Sequence, residues 1–335
     1  MSEQLASFVA SRRGTVEEAL WRGLPFSSLP RAGRLNEALE YAVFPGGKRL
    51  RPALSLLASE LAGATREQGL AAACAVEFLH SSSLILDDLP SMDDAGLRRK
   101  RPALHLVYGE GVAVLAAVAL LNQSYSLLAD AARGRKGSGS CVSLVREAAR
   151  CVGSDGMAGG QAVDLLTRAG DADAQALACR ELKTVALMRL MMTAGALAVG
   201  AGAGDTRSLA DFGECFGRAY QLCDDVQDET QACETTGKPA RQDARHLRAS
   251  AVVGLGTDGA RELARKLVTR GVARLYEQFG ARDEVMLLAD AAYLVLDASA
   301  ESSPEAGVRP ARENPAREKP ARENEAARAR ESVAG

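Results

Sequence analysis

The amino-acid sequence predicts an all-helical protein, on three observations. Ala, Leu, Arg and Glu, good helix formers, dominate the composition, while aromatic residues make up only 4%. No stretch alternates apolar with polar residues for long enough to make a strand. Apolar side chains recur instead at three- and four-residue spacings, most clearly over Leu35 to Val43 and Leu70 to Leu86, the stripe expected of helices packed in a bundle.

The remaining segments follow in order. Breaks fall at Pro45-Gly46-Gly47, Arg133 to Gly139, Gly153 to Gly156, Gly200 to Gly204 and Gly237-Lys238-Pro239, and they separate stretches of helical length. The apolar runs Val112 to Leu121 and Met191 to Gly204 are too short or too Gly-rich to span a bilayer and read as buried helices. From Glu301 a Pro-Ala-Arg-Glu unit repeats every five residues, with Pro310, Pro315 and Pro320 blocking continuous helix, so residues 301–335 read as a disordered, solvated tail.

Composition narrows the function. With 335 residues and 47% hydrophobic content the chain can bury a substantial core, although length alone does not choose between one large domain and two. Lys and Arg number 41 against 43 Asp and Glu, and a net charge of −2 offers no general attraction to nucleic acid. The seven cysteines form no C-x-x-C pair and their odd number fits a disulfide framework poorly, which points to a reducing cytoplasm. The N-terminus lacks a basic start followed by an unbroken apolar core, so no signal peptide is expected.

Two acidic clusters carry the chemistry. LILDDLPSMDDAGLRR gathers Asp87, Asp88, Asp93 and Asp94 after an apolar helical run. At roughly 5 Å and an effective dielectric of about 20, each close pair of carboxylates costs about 3 kcal/mol, so the cluster calls for a cation or for raised pKa values. Hard oxygen ligands favour Mg²⁺. The second cluster, Asp224, Asp225 and Asp228 in QLCDDVQD, sets Asp224 and Asp228 on one helical face, where two carboxylates can share a metal. Either cluster alone would more often be solvated surface; their duplication argues for metal. A pocket so negative binds phosphate only if bases are added. GGKRLRP supplies Lys48, Arg49 and Arg51, Arg98-Arg99 follows the first cluster, and Lys183, Lys238 and Arg248 stand near other helix ends.

Taken in order, GGKRLRP, EFLHSSSLILDDLPSMDDAGLRR, GMAGGQ, LKT and FGRAYQLCDDVQD resemble the trans-isoprenyl (polyprenyl) diphosphate synthases, over roughly Leu35 to Leu296. The resemblance implies a single-domain antiparallel helical bundle around a deep central cavity, spanning residues 1–300, and a homodimer. It implies a prenyltransferase that uses several Mg²⁺ ions to condense isopentenyl diphosphate with an allylic diphosphate. Asp87, Asp88 and Asp93 match its first metal motif and Asp224, Asp225 and Asp228 its second. Lys48, Arg51, His80 and Arg99 match positions holding isopentenyl diphosphate. Arg98, Lys183, Thr184, Gln221, Lys238 and Arg248 match positions holding the allylic diphosphate, with Arg248 standing where the family usually has Lys. Without the resemblance, His80 would read as a satisfied core histidine, Gly159-Gly160-Gln161 as a turn or packing signal and Asp164 as a solvated acid.

Ser82 and Ser83 stand where farnesyl-producing members place an aromatic floor, so the resemblance implies a product beyond C15, with geranylgeranyl diphosphate leading. Two positions depart from the family pattern: Leu86 replaces a common His, and Val118 replaces the Asp of a common GDALL segment. They leave room for a catalytically weak partner subunit of another synthase, and a class I terpene cyclase shares the fold and the first motif. The intact DDVQD and GGKRLR favour the elongating enzyme over both.

Overall fold

A computed structural model describes residues 2–133, 139–167, 174–230 and 251–300, which exclude Lys238, Arg248 and the repeat tail. The first half runs α1 (Glu3–Gly23), α2 (Gly33–Val43), α3 (Leu50–Leu61), α4 (Arg66–Asp87), a small hairpin β1 (Leu97–Arg98) and β2 (Arg101–Pro102), α5 (Leu104–Tyr108) and α6 (Glu110–Ala131). The second half runs α7 (Gly139–Val152), α8 (Met157–Leu166), α9 (Ala174–Val199), α10 (Ala203–Thr230), α11 (Ala251–Phe279) and α12 (Asp283–Ala300). The fold is all-α, and these elements belong to one unit.

Helix starts follow local chemistry. Ser2 caps α1, and Thr65 caps α4 in a reciprocal capping box with Gln68. The α4 helix is the spine of the site, packing on α3, α6 and α9, while α9 packs in turn on α8 and α10. One apolar cluster joins α3, α4, α9, α10, α11 and α12 through residues such as Leu57, Val76, Met191, Phe212 and Leu275. A second joins α1, α2, α4 and α6 around Phe78, Leu20, Leu39 and Leu120.

The expectation for Val112 to Leu121 needs correction. Helices α4, α6 and the Glu181–Val199 part of α9 are long and apolar enough by composition to cross a membrane. Most of the α4 and α9 stretches is buried within the protein, but only 33% of the α6 stretch is. Val114, Leu115 and Val118 lie exposed on α6, in an i, i+4 stripe with Glu110 and Gly111. The sequence stripe there serves two surfaces, one toward α4 and one facing outward.

Candidate active site

The first acidic cluster sits at the end of α4. Asp87 is the last residue of that helix, and the chain turns back so that the Asp93 amide donates to the Asp87 carbonyl at 2.9 Å and the Ala95 amide to the Asp88 carbonyl at 3.2 Å. These bonds satisfy terminal carbonyls of the helix and bring Asp93 beside Asp87. Both side chains line a cavity of about 1400 Å³. Asp88 does not. Asp88 is 2% exposed and its carboxylate is held by Arg98, whose Nε donates to Oδ1 at 3.0 Å and Oδ2 at 3.1 Å while Nη2 also reaches Oδ1. Burial pushes the Asp87 carboxyl up to about 6; Lys183 and Arg98 pull it back, and Asp93 and Asp88 raise it further. Burial also raises the Asp88 carboxyl, with the Arg98 hydrogen bonds offsetting it in part.

The second cluster lies in the last turns of α10. Asp224 and Asp228 line the same cavity one helical turn apart. Asp225, also on the wall, is buried and accepts from Gln221 Nε2 at 2.8 Å, and Gln221 Oε1 accepts from Thr184 Oγ1 at 3.0 Å. Across the cavity Lys183 Nζ donates to Asp164 Oδ2 at 2.5 Å. Asp164 is 1% exposed, so the reading of it as a solvated acid is overturned: one turn of α8 past Gly160 turns it inward. Gly160 makes that approach possible, because a Cβ there would lie 2.4 Å from the Lys183 amide nitrogen.

Cations rim the mouth. Lys48, Arg51, His80, Arg98 and Arg99 all line the cavity. Arg99 and Lys100 form the two-residue tip between β1 and β2, both left-handed at φ 52° and 63°, the geometry of a type I′ hairpin built without glycine. Burial and then the neighbouring Arg51, Arg99 and Arg98 hold the His80 imidazole well below its ordinary value, so it is neutral. The buried Nε of Arg51 has no acceptor among the described residues, a fit for an anion, and its guanidinium lies 5.7 Å from the Tyr220 ring centroid. Arg49 is different: it is 3% exposed and bonded to Glu17, Glu77 and the Val43 carbonyl.

Below the charged mouth the wall turns apolar through Leu79, Leu121, Val152 and Leu187, contributed by four helices. Ser82 and Ser83 line this part; Ser82 Oγ donates to the Ala117 carbonyl and Ser83 Oγ to the His80 carbonyl, both at 2.9 Å. Their hydroxyls are thereby satisfied and their small volume leaves the shaft open. Leu86 is on the wall, whereas Val118 faces outward, away from the cavity.

The donor set fits a divalent metal. The cavity-facing acids are oxygen donors only, and they stand at the C-terminal, negative ends of α4 and α10, where uncompensated carboxylates are disfavoured. Among the described residues no three His, Cys, Asp or Glu side chains form a complete metal cage. Such an arrangement suits an ion held by one or two carboxylates with phosphate oxygens completing its shell.

A helical bundle whose charged mouth opens on an apolar shaft defines an enzyme for a substrate with an anionic head and a long apolar tail. Residues 32–278 match the family model Polyprenyl synthetase, and the chain belongs to that family: it is a prenyltransferase. Members of the family act on isoprenoid diphosphates with divalent metal. The chain is 37% identical over 263 residues to a chloroplastic geranylgeranyl pyrophosphate synthase of Catharanthus roseus, covering 78% of this chain and 73% of that one. It is 38% identical over 271 residues to the mitochondrial geranylgeranyl pyrophosphate synthase 6 of Arabidopsis thaliana, covering 78% and 79%. Among solved structures, an FPP/GFPP synthase from Zymomonas mobilis superposes with a TM-score of 0.75 at 29% identity, covering 88% of this chain and all of that one.

Proposed function

We propose that this protein is a magnesium-dependent, homodimeric trans-prenyl synthase that adds isopentenyl diphosphate to an allylic diphosphate and releases geranylgeranyl diphosphate. The observation that carries the reading is the continuity of the cavity from the two aspartate clusters past Ser82 and Ser83 to Leu79. With a rise of about 1.5 Å per residue, the eight residues from Asp87 back to Leu79 give α4 a lining about 12 Å deep, with serines where a bulky side chain would close it. The names of the relatives agree with a C20 product.

Asp87, Asp93, Asp224 and Asp228 would hold the metal, with Asp225 fixed beside them by Gln221. Bound Mg²⁺ would supply charge neutralisation of the allylic diphosphate and of the pyrophosphate that leaves. Arg98, Lys183, Thr184 and Gln221 line the allylic side, and Lys238 and Arg248, outside the described residues, complete it in this reading. Lys48, Arg51, His80 and Arg99 hold isopentenyl diphosphate. The allylic carbon–oxygen bond breaks, its electron pair leaving with pyrophosphate. The isopentenyl double bond then attacks the allylic cation, and pyrophosphate takes the proton lost from the new chain. Residues lining the shaft exclude water from that cation.

The outward face of α6 supports the homodimer, since Val114, Leu115 and Val118 would otherwise stay in water. Six free cysteines among the described residues support a reducing, cytoplasmic setting. The test is mass spectrometry of products formed from isopentenyl diphosphate, Mg²⁺ and C5, C10 or C15 allylic primers. A C20 diphosphate from all three is expected. Folded protein that elongates none of them would overturn the reading, and a C15 end product would overturn the assigned length.

A further inference from the structure

Arg49 interrupts the cationic run of the mouth without sharing its exposure. It stands between Lys48, which is exposed on the cavity rim, and Arg51, which lines the wall. Its backbone is left-handed at φ 53°, a conformation that a non-glycine residue keeps only where its surroundings impose it. Four contacts do so. Nε donates to Glu17 Oε1 at 2.9 Å and Nη2 to Glu17 Oε2 at 3.1 Å, a two-pronged grip on a residue of α1. Nη1 donates to Glu77 Oε1 at 2.5 Å, and Nη2 also donates to the Val43 carbonyl at 2.8 Å. The ring of Phe44 covers the guanidinium at 5.2 Å. A Cβ on Gly46 would lie 2.0 Å from the Arg49 Cζ, so that glycine leaves the space the guanidinium fills.

The surroundings indicate what this anchor is for. Lys48, Arg51, Arg98 and Arg99 gather around one mouth, and like charges in proximity push one another toward solvent. Glu77 is a buried carboxylate inside that gathering, 3% exposed, and its field acts on Arg99 as well as on Arg49. It lies three residues before His80 on α4, so one helix face carries both the anchor and a ligand of the isopentenyl side.

We propose that Arg49, gripped by Glu17 and Glu77, is a positioning residue: it fixes the loop of residues 46–51 so that Lys48 and Arg51 are presented together to the diphosphate of isopentenyl diphosphate. Arg49 itself is assigned no bond to that substrate: four of its five N–H donors are spent on the two glutamates and Val43. Glu17 belongs to the same device although it does not line the cavity, and this makes it the more telling site to change.

The inference rests on the elongation reading. Its test measures KM separately for isopentenyl diphosphate and for the allylic primer, with kcat and thermal midpoint, in wild type, Glu17→Gln, Arg49→Gln and the double variant. Loss of a charge-assisted hold should raise KM for isopentenyl diphosphate about tenfold in Arg49→Gln and less in Glu17→Gln, with the allylic KM and kcat within about twofold. The double variant should match Arg49→Gln, because both changes release one loop. Equal rises in the two KM values, or folded variants with only a lower thermal midpoint, overturn the proposal. If Arg49→Gln does not fold, Glu17→Gln decides alone: an unchanged KM for isopentenyl diphosphate overturns it. Wild-type protein that does not elongate would overturn the elongation reading and this inference together, whereas active wild type with unaltered variants overturns this inference only.

Discussion

Replacing Asp88 by Asn separates two carboxylates that are neighbours in sequence. The Asp88 side chain is 3% exposed and accepts from the Nε and Nη2 groups of Arg98, whose own side chain is 27% exposed. Removing one partner of a fully buried pair costs about 3–5 kcal/mol, and the part of Arg98 that reaches water reduces this to about 2 kcal/mol. Burial raises both carboxyls; at Asp88 the Arg98 hydrogen bonds offset it, whereas at Asp87 the shift is large. The Asp87 carboxyl titrates near 6 rather than 3.8, so the folded protein binds more protons than the unfolded chain between those values and loses stability as pH rises through them. Ionised Asp87 therefore costs up to about 3 kcal/mol at neutral pH, and Asp87→Asn relieves it. In metal-free protein, urea unfolding at pH 7 should find Asp88→Asn less stable than wild type and Asp87→Asn more stable. Metal titration of turnover should leave the half-saturating Mg²⁺ of Asp88→Asn within about twofold of wild type while its allylic KM rises, and should move that of Asp87→Asn by more than about tenfold. An Asp88→Asn variant that shifts the metal requirement as far as Asp87→Asn, or that is stabilised, would refute the assignment of Asp88 to Arg98.

Ser83→Phe places a ring about 6 Å below Asp87 along α4 and should shorten the end product by at least one C5 unit in mass spectra; an unchanged product means that Ser83 does not bound the shaft. Gly160→Ala forces its new methyl to within 2.4 Å of the Lys183 amide nitrogen, so α8 must retreat. A fall in thermal stability worth about 1–3 kcal/mol, with reduced kcat from the displaced Lys183, is expected, and wild-type behaviour in both would sink the contact. Glu147 is held down to about 2 from 4.5, first by the Arg150 hydrogen bond, with Arg189 adding to it. Its contribution, about 2–3 kcal/mol, is complete above about pH 4.5 and disappears as pH falls toward 2. Urea midpoints of wild type and Glu147→Gln should therefore differ at pH 7 and converge only as pH falls to about 2; a difference independent of pH would contradict the pairing.

Much of the fold could be read from periodicity and breakers, because α2, α4 and the turns at 45–47 and 153–156 are set by local rules that a window of residues contains. What escaped depends on distance. Glu17 and Glu77 lie 32 and 28 residues from Arg49, so nothing in GGKRLRP distinguishes the anchored arginine from its exposed neighbours. The short hairpin was invisible for another reason: its tip is Arg-Lys, where the usual sequence cue is Asn-Gly. The outward stripe of α6 was misread as core because hydrophobicity records that a residue avoids water without saying which partner covers it. Asp164 looked solvated since only the approach of α8 to α9 at Gly160 buries it.

The carboxylates of the site divide by direction rather than by motif. Successive residues of a helix point about 100° apart, and at the end of α4 Asp87 faces the cavity while Asp88 turns from it and takes the arginine instead. The same division recurs around the mouth: Asp164 behind Lys183 and Glu77 behind Arg49 are buried acids, each bonded to a basic residue of the wall. Lys183, aimed in this way by Asp164, needs no reorganisation when charge develops on a leaving diphosphate, which is where electrostatic catalysis gains most. Carboxylates of the two aspartate clusters that face inward repel a diphosphate placed between them, so a metal ion and the diphosphate are expected to bind as mutually dependent ligands. Metal affinity measured without substrate should therefore be weak, and inorganic pyrophosphate should strengthen it by the same factor by which metal strengthens pyrophosphate binding, a reciprocity that calorimetry can check.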